Sequence, residues 1–240
     1  MAHDALDAGP GKMAPAEARK ITGQVTRLSV MVAATLVIAK LIAWIASGSV
    51  AMLASLADSG LDLVASLTTF FAVRYAASPA DKEHRYGHGK AEALAGLGQA
   101  TFIASSAIFL LMFSVERIVH PELIESLDLG FGVVVFSILL TSVLVMFQRY
   151  VVKETGSLAI KADSLHYAAD FLSNLGVLLG LALYYFGWLY SDPIVALAIA
   201  LFILKSAFDI GREAVQLLMD RGLPEAEQRE VYDVALSHPD

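Results

Sequence analysis

Six apolar runs, interrupted by short polar breaks, carry most of this 240-residue chain: Gln24–Ile45, Ser49–Ala77, Ala91–Ile118, Leu129–Tyr150, Gly156–Phe186 and Asp192–Ile210. Each reaches the roughly 20 residues that a membrane-spanning helix requires. Lipid offers no partner to an exposed backbone group, so segments of this composition are predicted to be helices. The first break, Ala46-Ser47-Gly48, and the fifth, Gly187 to Ser191, are short enough to join antiparallel neighbours. Gly176 and Gly180, with Ala196 and Ala200, offer close-packing faces to the fifth and sixth runs. The expected fold is therefore an all-α membrane protein, a six-transmembrane-helix bundle.

An even number of spans leaves both termini on one side. Lys12, Arg19, Lys20 and Arg27 precede the first run; Arg74, Lys82, Arg85 and Lys90 flank the second break; Arg149, Lys153 and Lys161 flank the fourth; Arg212, Arg221 and Arg229 follow the last. The opposite breaks contribute only Arg117, so both termini are expected in the cytoplasm. Lys40 and Lys205 lie inside spans and are expected to snorkel or pair. Residues 1–20 read as a disordered cytoplasmic tail and 21–213 as the membrane domain. Residues 214–240 read as a linker and the first helix of a truncated cytoplasmic domain, introduced by Gly222-Leu223-Pro224.

Composition agrees with a membrane protein: 57% of residues are apolar and the mean hydropathy is +0.63. There are no cysteines, so a metal would be held by oxygen and imidazole nitrogen. The net charge of −7 is spread along the chain without a basic stripe, which argues against nucleic acid.

Four charges remain inside the apolar runs and need an explanation. Asp58 and Asp62 stand four residues apart in the second run, and His166 and Asp170 four apart in the fifth. At that spacing each pair shares a helix face. The second run enters from one membrane face and the fifth from the other, yet each pair lies roughly 14–20 Å deep at 1.5 Å per residue. In a core of about 30 Å the pairs meet near the midplane. A buried polar network locking the two helices is the plainer alternative, but intramembrane ionisable groups at matched depth usually mark ion paths. Three carboxylates and one imidazole suit Zn²⁺ first, and Fe²⁺, Mn²⁺, Cd²⁺ or Co²⁺ also. Metal and protons would compete for the same atoms, which is a basis for exchange. Asp163 and Asn174 extend the His166 face and are candidate supporting or access residues.

The second break reads Ser-Pro-Ala-Asp-Lys-Glu-His-Arg-Tyr-Gly-His-Gly-Lys. By spacing alone, Asp81, His84 and His88 fit either a solvated polar loop or a second metal site, with Gly87 and Gly89 permitting the turn. Taken together, Ala-Asp-Ser-Gly-Leu-Asp, this loop running on into Ala-Glu, and Ala-Asp-Ser-Leu-His-Tyr-Ala-Ala-Asp resemble the cation diffusion facilitator family, most nearly its bacterial zinc and ferrous-iron efflux branch. The resemblance implies that Asp58, Asp62, His166 and Asp170 form a transport site and Asp81, His84 and His88 a loop site. It implies that Lys90 and Asp220 form a charge pair tying protomers together. It further implies a homodimer in the bacterial inner membrane that exchanges cytoplasmic metal for protons by alternating access. The chain departs from the family in length, since only the first helix of the usual cytoplasmic domain is expected.

Two other functions compete. An intramembrane metal-dependent hydrolase would ordinarily show His-Glu-x-x-His, which is absent. A proton-coupled carrier of an organic substrate would need a roomier, aromatic-lined pocket, whereas Ala, Ser, Gly and Leu surround the acids.

Overall fold

The computed structural model describes residues 13–48, 50–119, 131–186, 191–222 and 225–237. Among them the chain is all helical: α1 Pro15–Ser47, α2 Val50–Ala76, α3 Lys90–Val119, α4 Phe131–Thr155, α5 Leu158–Tyr185, α6 Ser191–Leu218 and α7 Glu225–Ser237. Most of the expected tail, the break from 120 to 130, residues 187–190 and Pro224 lie outside the described residues.

Among the described residues five segments are long and apolar enough to cross a membrane: Ala16–Ala46, Ser55–Ala76, Lys90–Val119, Val135–Thr155 and Pro193–Leu218. The remaining expected span, the fifth run, corresponds to α5, a 28-residue helix whose first half carries Lys161, Asp163, His166 and Asp170. Helix ends follow local chemistry. Gly48 takes a left-handed conformation with φ 62° and returns its N–H to Trp44 O at 2.8 Å, stopping α1. Gly156, at φ 68°, does the same for α4 through Val152 O.

Two helices run past their apolar stretches. α1 starts at Pro15, taking in residues expected in the tail, and α6 continues to Leu218. In both extensions one face stays covered: Thr22 is buried near the start of α1, and Ala214 near the end of α6.

Among the described residues buried side chains pack on both sides of α5. Val32 and Leu36 of α1 pack with Leu144 and Val145 of α4 and with Tyr167 and Ala168 of α5. Ala93 and Ala100 of α3 pack with Leu158 and Ala162 of α5 and with Ile210 and Ala214 of α6. Small residues set the spacing, as expected where lipid removes the ordinary hydrophobic drive between helices. A Cβ on Gly176 would lie 2.5 Å from Ile199 Cδ1, so α5 and α6 approach closely there. The outer faces of the long helices are apolar and exposed, with Ile42, Phe71, Phe109, Leu139, Met146 and Phe208 among them. Such a belt suits contact with acyl chains.

Candidate metal centre

α2 and α5 bring Asp62, His166 and Asp170 together. His166 Nε2 lies 2.9 Å from Asp62 Oδ1 and 3.8 Å from Asp170 Oδ2. One ligand atom from each residue falls within 4.8 Å of the others, and Asp62 and His166 are buried. Nε2 thus faces a carboxylate on either side, within hydrogen-bond distance of Asp62 and farther from Asp170. A divalent cation between them would take one ligand atom from each.

Asp58 is the outlying member of the expected quartet. It lies on α2 one turn before Asp62, but it is exposed and stands outside the tight group. It remains in electrostatic reach of Asp62, His166 and Lys40. The i,i+4 spacing puts it on the same side of α2 as Asp62, but its carboxylate does not join the group of ligand atoms that Asp62 forms with His166 and Asp170.

Asp163 and Asn174 have other partners. Asn174 Nδ2 donates to the backbone oxygen of Asp170 at 2.8 Å. Asp163 is buried and accepts from Gln148 Nε2 at 2.6 Å and Gln99 Nε2 at 3.2 Å, so α3 and α4 are tied to α5 one turn before His166. Gln148 Nε2 also donates to Ser29 Oγ of α1 at 3.0 Å. Tyr167, fully buried, pairs its hydroxyl with Ser66 Oγ of α2 at 2.7 Å. A polar network of five helices thus backs the candidate centre. Gln99, Gln148, Tyr167 and Ser66 were not singled out from the sequence; the available signal was an amide standing alone in an apolar run.

Lys40, expected to snorkel or pair, is paired. Its Nζ turns onto α2, donating to Ser59 Oγ at 2.6 Å and to Ser55 O at 3.2 Å. Ser59 is buried between Asp58 and Asp62.

The loop between α2 and α3 gathers its three expected residues. Asp81 Oδ1 accepts from the backbone N–H of His84 at 2.6 Å and of Glu83 at 2.9 Å, while His84 Nδ1 and His88 Nε2 each lie 3.4 Å from an Asp81 oxygen. The His84 backbone bond is the main reason that the Asp81 carboxyl is held below the usual range. Gly87, at φ 82°, turns the chain so that His88 folds back over Asp81. His88 is buried against Tyr75, with ring centroids 4.5 Å apart. Its Nδ1 is buried without a hydrogen-bond partner among the described residues. An unpartnered imidazole nitrogen beside a second histidine and a carboxylate suits a cation.

Lys90 and Asp220 meet within the chain, Nζ to Oδ2 at 2.8 Å, where the resemblance implied a tie between protomers. Lys90 Nζ also reaches Leu218 O at 3.3 Å, so it caps the end of α6, where a positive charge is favoured. Lys161 and Glu213 form a second ion pair, between α5 and α6.

The family described as "Cation efflux transmembrane domain" matches residues 26–219. The "Cation-efflux pump FieF" of Salmonella paratyphi A is 46% identical over 207 residues, covering 86% of this chain and 69% of the relative. The proteins of the same name in Salmonella newport and Salmonella heidelberg match to the same extent.

Proposed function

Since this chain belongs to the cation diffusion facilitator family, multi-pass membrane transporters of divalent metal cations rather than enzymes, we propose that it exports a divalent metal from the cytoplasm in exchange for protons. Its cargo is Zn²⁺ first, with Fe²⁺, Cd²⁺ and Mn²⁺ as alternatives. The observation that carries this reading is the convergence of Asp62, His166 and Asp170, from two helices, onto one point inside the bundle. We assign Asp58 to the same centre as the fourth ligand, reached by a small shift of α2 against α5.

The chemistry follows from burial. Carboxylates held in a low-dielectric interior need their charge cancelled, by a cation or by protons. Metal entering from the cytoplasm takes a neutral imidazole nitrogen of His166 and the carboxylate oxygens as ligands, and the protons it displaces from these groups are released to the cytoplasm. After the centre opens to the other side, protons return and the metal leaves. Alternating access supplies the reorientation, and a proton gradient drives it.

In this reading α1 to α6 all span the membrane, α5 included, with both termini in the cytoplasm. The bias of basic residues supports that orientation. The location is the bacterial inner membrane. Asp81, His84 and His88 hold a second ion at the cytoplasmic mouth, supported by their convergence and by the unpartnered His88 Nδ1. The working unit is a homodimer, with the Lys90–Asp220 pair at the surface where protomers meet. A carrier of a non-metal substrate would leave the convergence of three ligand atoms without a purpose.

The test uses liposomes with a pH-sensitive dye inside, a proton gradient, and Zn²⁺ added outside. Proton movement should depend on Zn²⁺ and should vanish in Asp62→Ala and His166→Ala. Movement that ignores Zn²⁺, or survives both substitutions, contradicts exchange at this centre.

A further inference from the structure

We propose that Lys40 is a resident counter-cation of the metal centre: its ammonium weakens metal binding and speeds release. The inference rests on the centre proposed above. Lys40 lies seven residues before the end of α1, inside a span of 31 apolar-rich residues. A lysine so placed would ordinarily extend along the helix toward the membrane surface. Here the amine turns sideways onto α2, taking the Ser59 hydroxyl at 2.6 Å and the Ser55 carbonyl at 3.2 Å.

That perch is specific. Ser59 is buried, and its neighbours one residue before and three after are Asp58 and Asp62. The ammonium is in electrostatic reach of Asp58 on α2 and of Asp170 on α5. Its hydrogen bonds go to Ser59 and Ser55 rather than to either carboxylate, so the ligand atoms stay open to a metal. Its effect on an arriving divalent cation is repulsion through a medium that screens poorly.

Such a charge answers a difficulty of the carrier. Three carboxylates and an imidazole hold a divalent cation tightly, whereas a transporter must let its cargo go. A fixed positive charge beside the centre lowers affinity without removing a ligand, and it partly balances the acids once the metal has left. A lysine that served only to fasten α1 to α2 would behave differently on removal, because a loosened bundle binds metal no better.

The experiment measures Zn²⁺ affinity with a competing chelator dye, and Zn²⁺ dissociation by stopped flow. The full chain is placed in lipid nanodiscs, and His84→Ala is present throughout to simplify the loop. Lys40→Met keeps the stem and removes the charge, Lys40→Gln provides a second neutral variant, and Lys40→Arg restores the charge. We expect both neutral variants to bind Zn²⁺ about tenfold more tightly and release it correspondingly slowly, with Lys40→Arg near the parent. Unchanged or weaker binding in the neutral variants, with binding still abolished by Asp62→Ala, overturns the Lys40 proposal alone. Zn²⁺ binding that survives Asp62→Ala overturns the metal-centre assignment and the proposal with it.

Discussion

Replacing Gln148 by leucine removes the shorter of the two amide contacts to the buried carboxyl of Asp163 while keeping a side chain of similar size. Gln148 Nε2 donates to Asp163 Oδ2 at 2.6 Å and to Ser29 Oγ at 3.0 Å. A hydrogen bond to a charged group contributes about 1.5–3 kcal/mol and a neutral one about 1 kcal/mol. Against this, Gln148 Oε1 is buried without a partner among the described residues, and leucine removes that unsatisfied acceptor, offsetting about 1 kcal/mol. In a membrane the unfolded reference state finds partners of its own, which trims the total, so the net loss should be about 2 kcal/mol. The assay is reversible unfolding in mixed micelles, with Gln148→Leu, Asp163→Leu and the double variant forming a cycle. Gln99→Leu, which removes a 3.2 Å contact, should cost about half as much. A coupling between Gln148 and Asp163 below about 0.5 kcal/mol would refute the view that this network ties α4 to α5 behind the centre.

Three further outcomes follow from other parts of the structure. Gly176→Leu sets bulk where even a Cβ would meet Ile199 Cδ1, so it should destabilise the α5–α6 contact by about 1–3 kcal/mol in the same unfolding assay, and Gly176→Ala by less because the Ile199 tip can move. At the loop, Asp81 has a carboxyl pKa lowered below its unfolded value, so the stability it contributes is present above the unfolded pKa and is lost only as pH falls through the lower folded value. The Asp81 side-chain carboxyl resonance, followed by carbon-13 NMR, should therefore titrate at a lower pH than that of a free aspartate, and Asp81→Asn should shift the His84 amide at neutral pH. Lys90 and Asp220 form an exposed pair, so Lys90→Met should cost less than about 1 kcal/mol of protomer stability; a marked loss of dimer in sedimentation would then show that the pair also acts between protomers.

Much of the bundle was legible because α1 to α4 and α6 each carry an apolar run long enough to read without its neighbours. The ends were less so. The starts of α1 and the close of α6 are mixed in polarity, and their helical state depends on one covered face, seen at Thr22 and Ala214. Hydropathy along the chain does not register such a face. At the centre, the pairing of Asp62 with His166 and Asp170 followed from helical spacing and matched depth. The displacement of Asp58 from that group did not, since it depends on the local separation of α2 and α5. The amides of Gln99 and Gln148 and the amine of Lys40 were individually visible as polar residues in apolar runs. What joins them to Asp163 and Ser59 is the rotation of one helix against another, which one-dimensional periodicity leaves free.

The most direct test of the central claim is X-ray absorption at the zinc edge, on the chain loaded with one equivalent of Zn²⁺ and carrying His84→Ala and His88→Ala. The account predicts a first shell of oxygen and nitrogen at about 2.0–2.2 Å with the scattering of a single imidazole, His166, lost together with binding in Asp62→Ala. Two or more imidazoles, or an unchanged spectrum in Asp62→Ala, would contradict it.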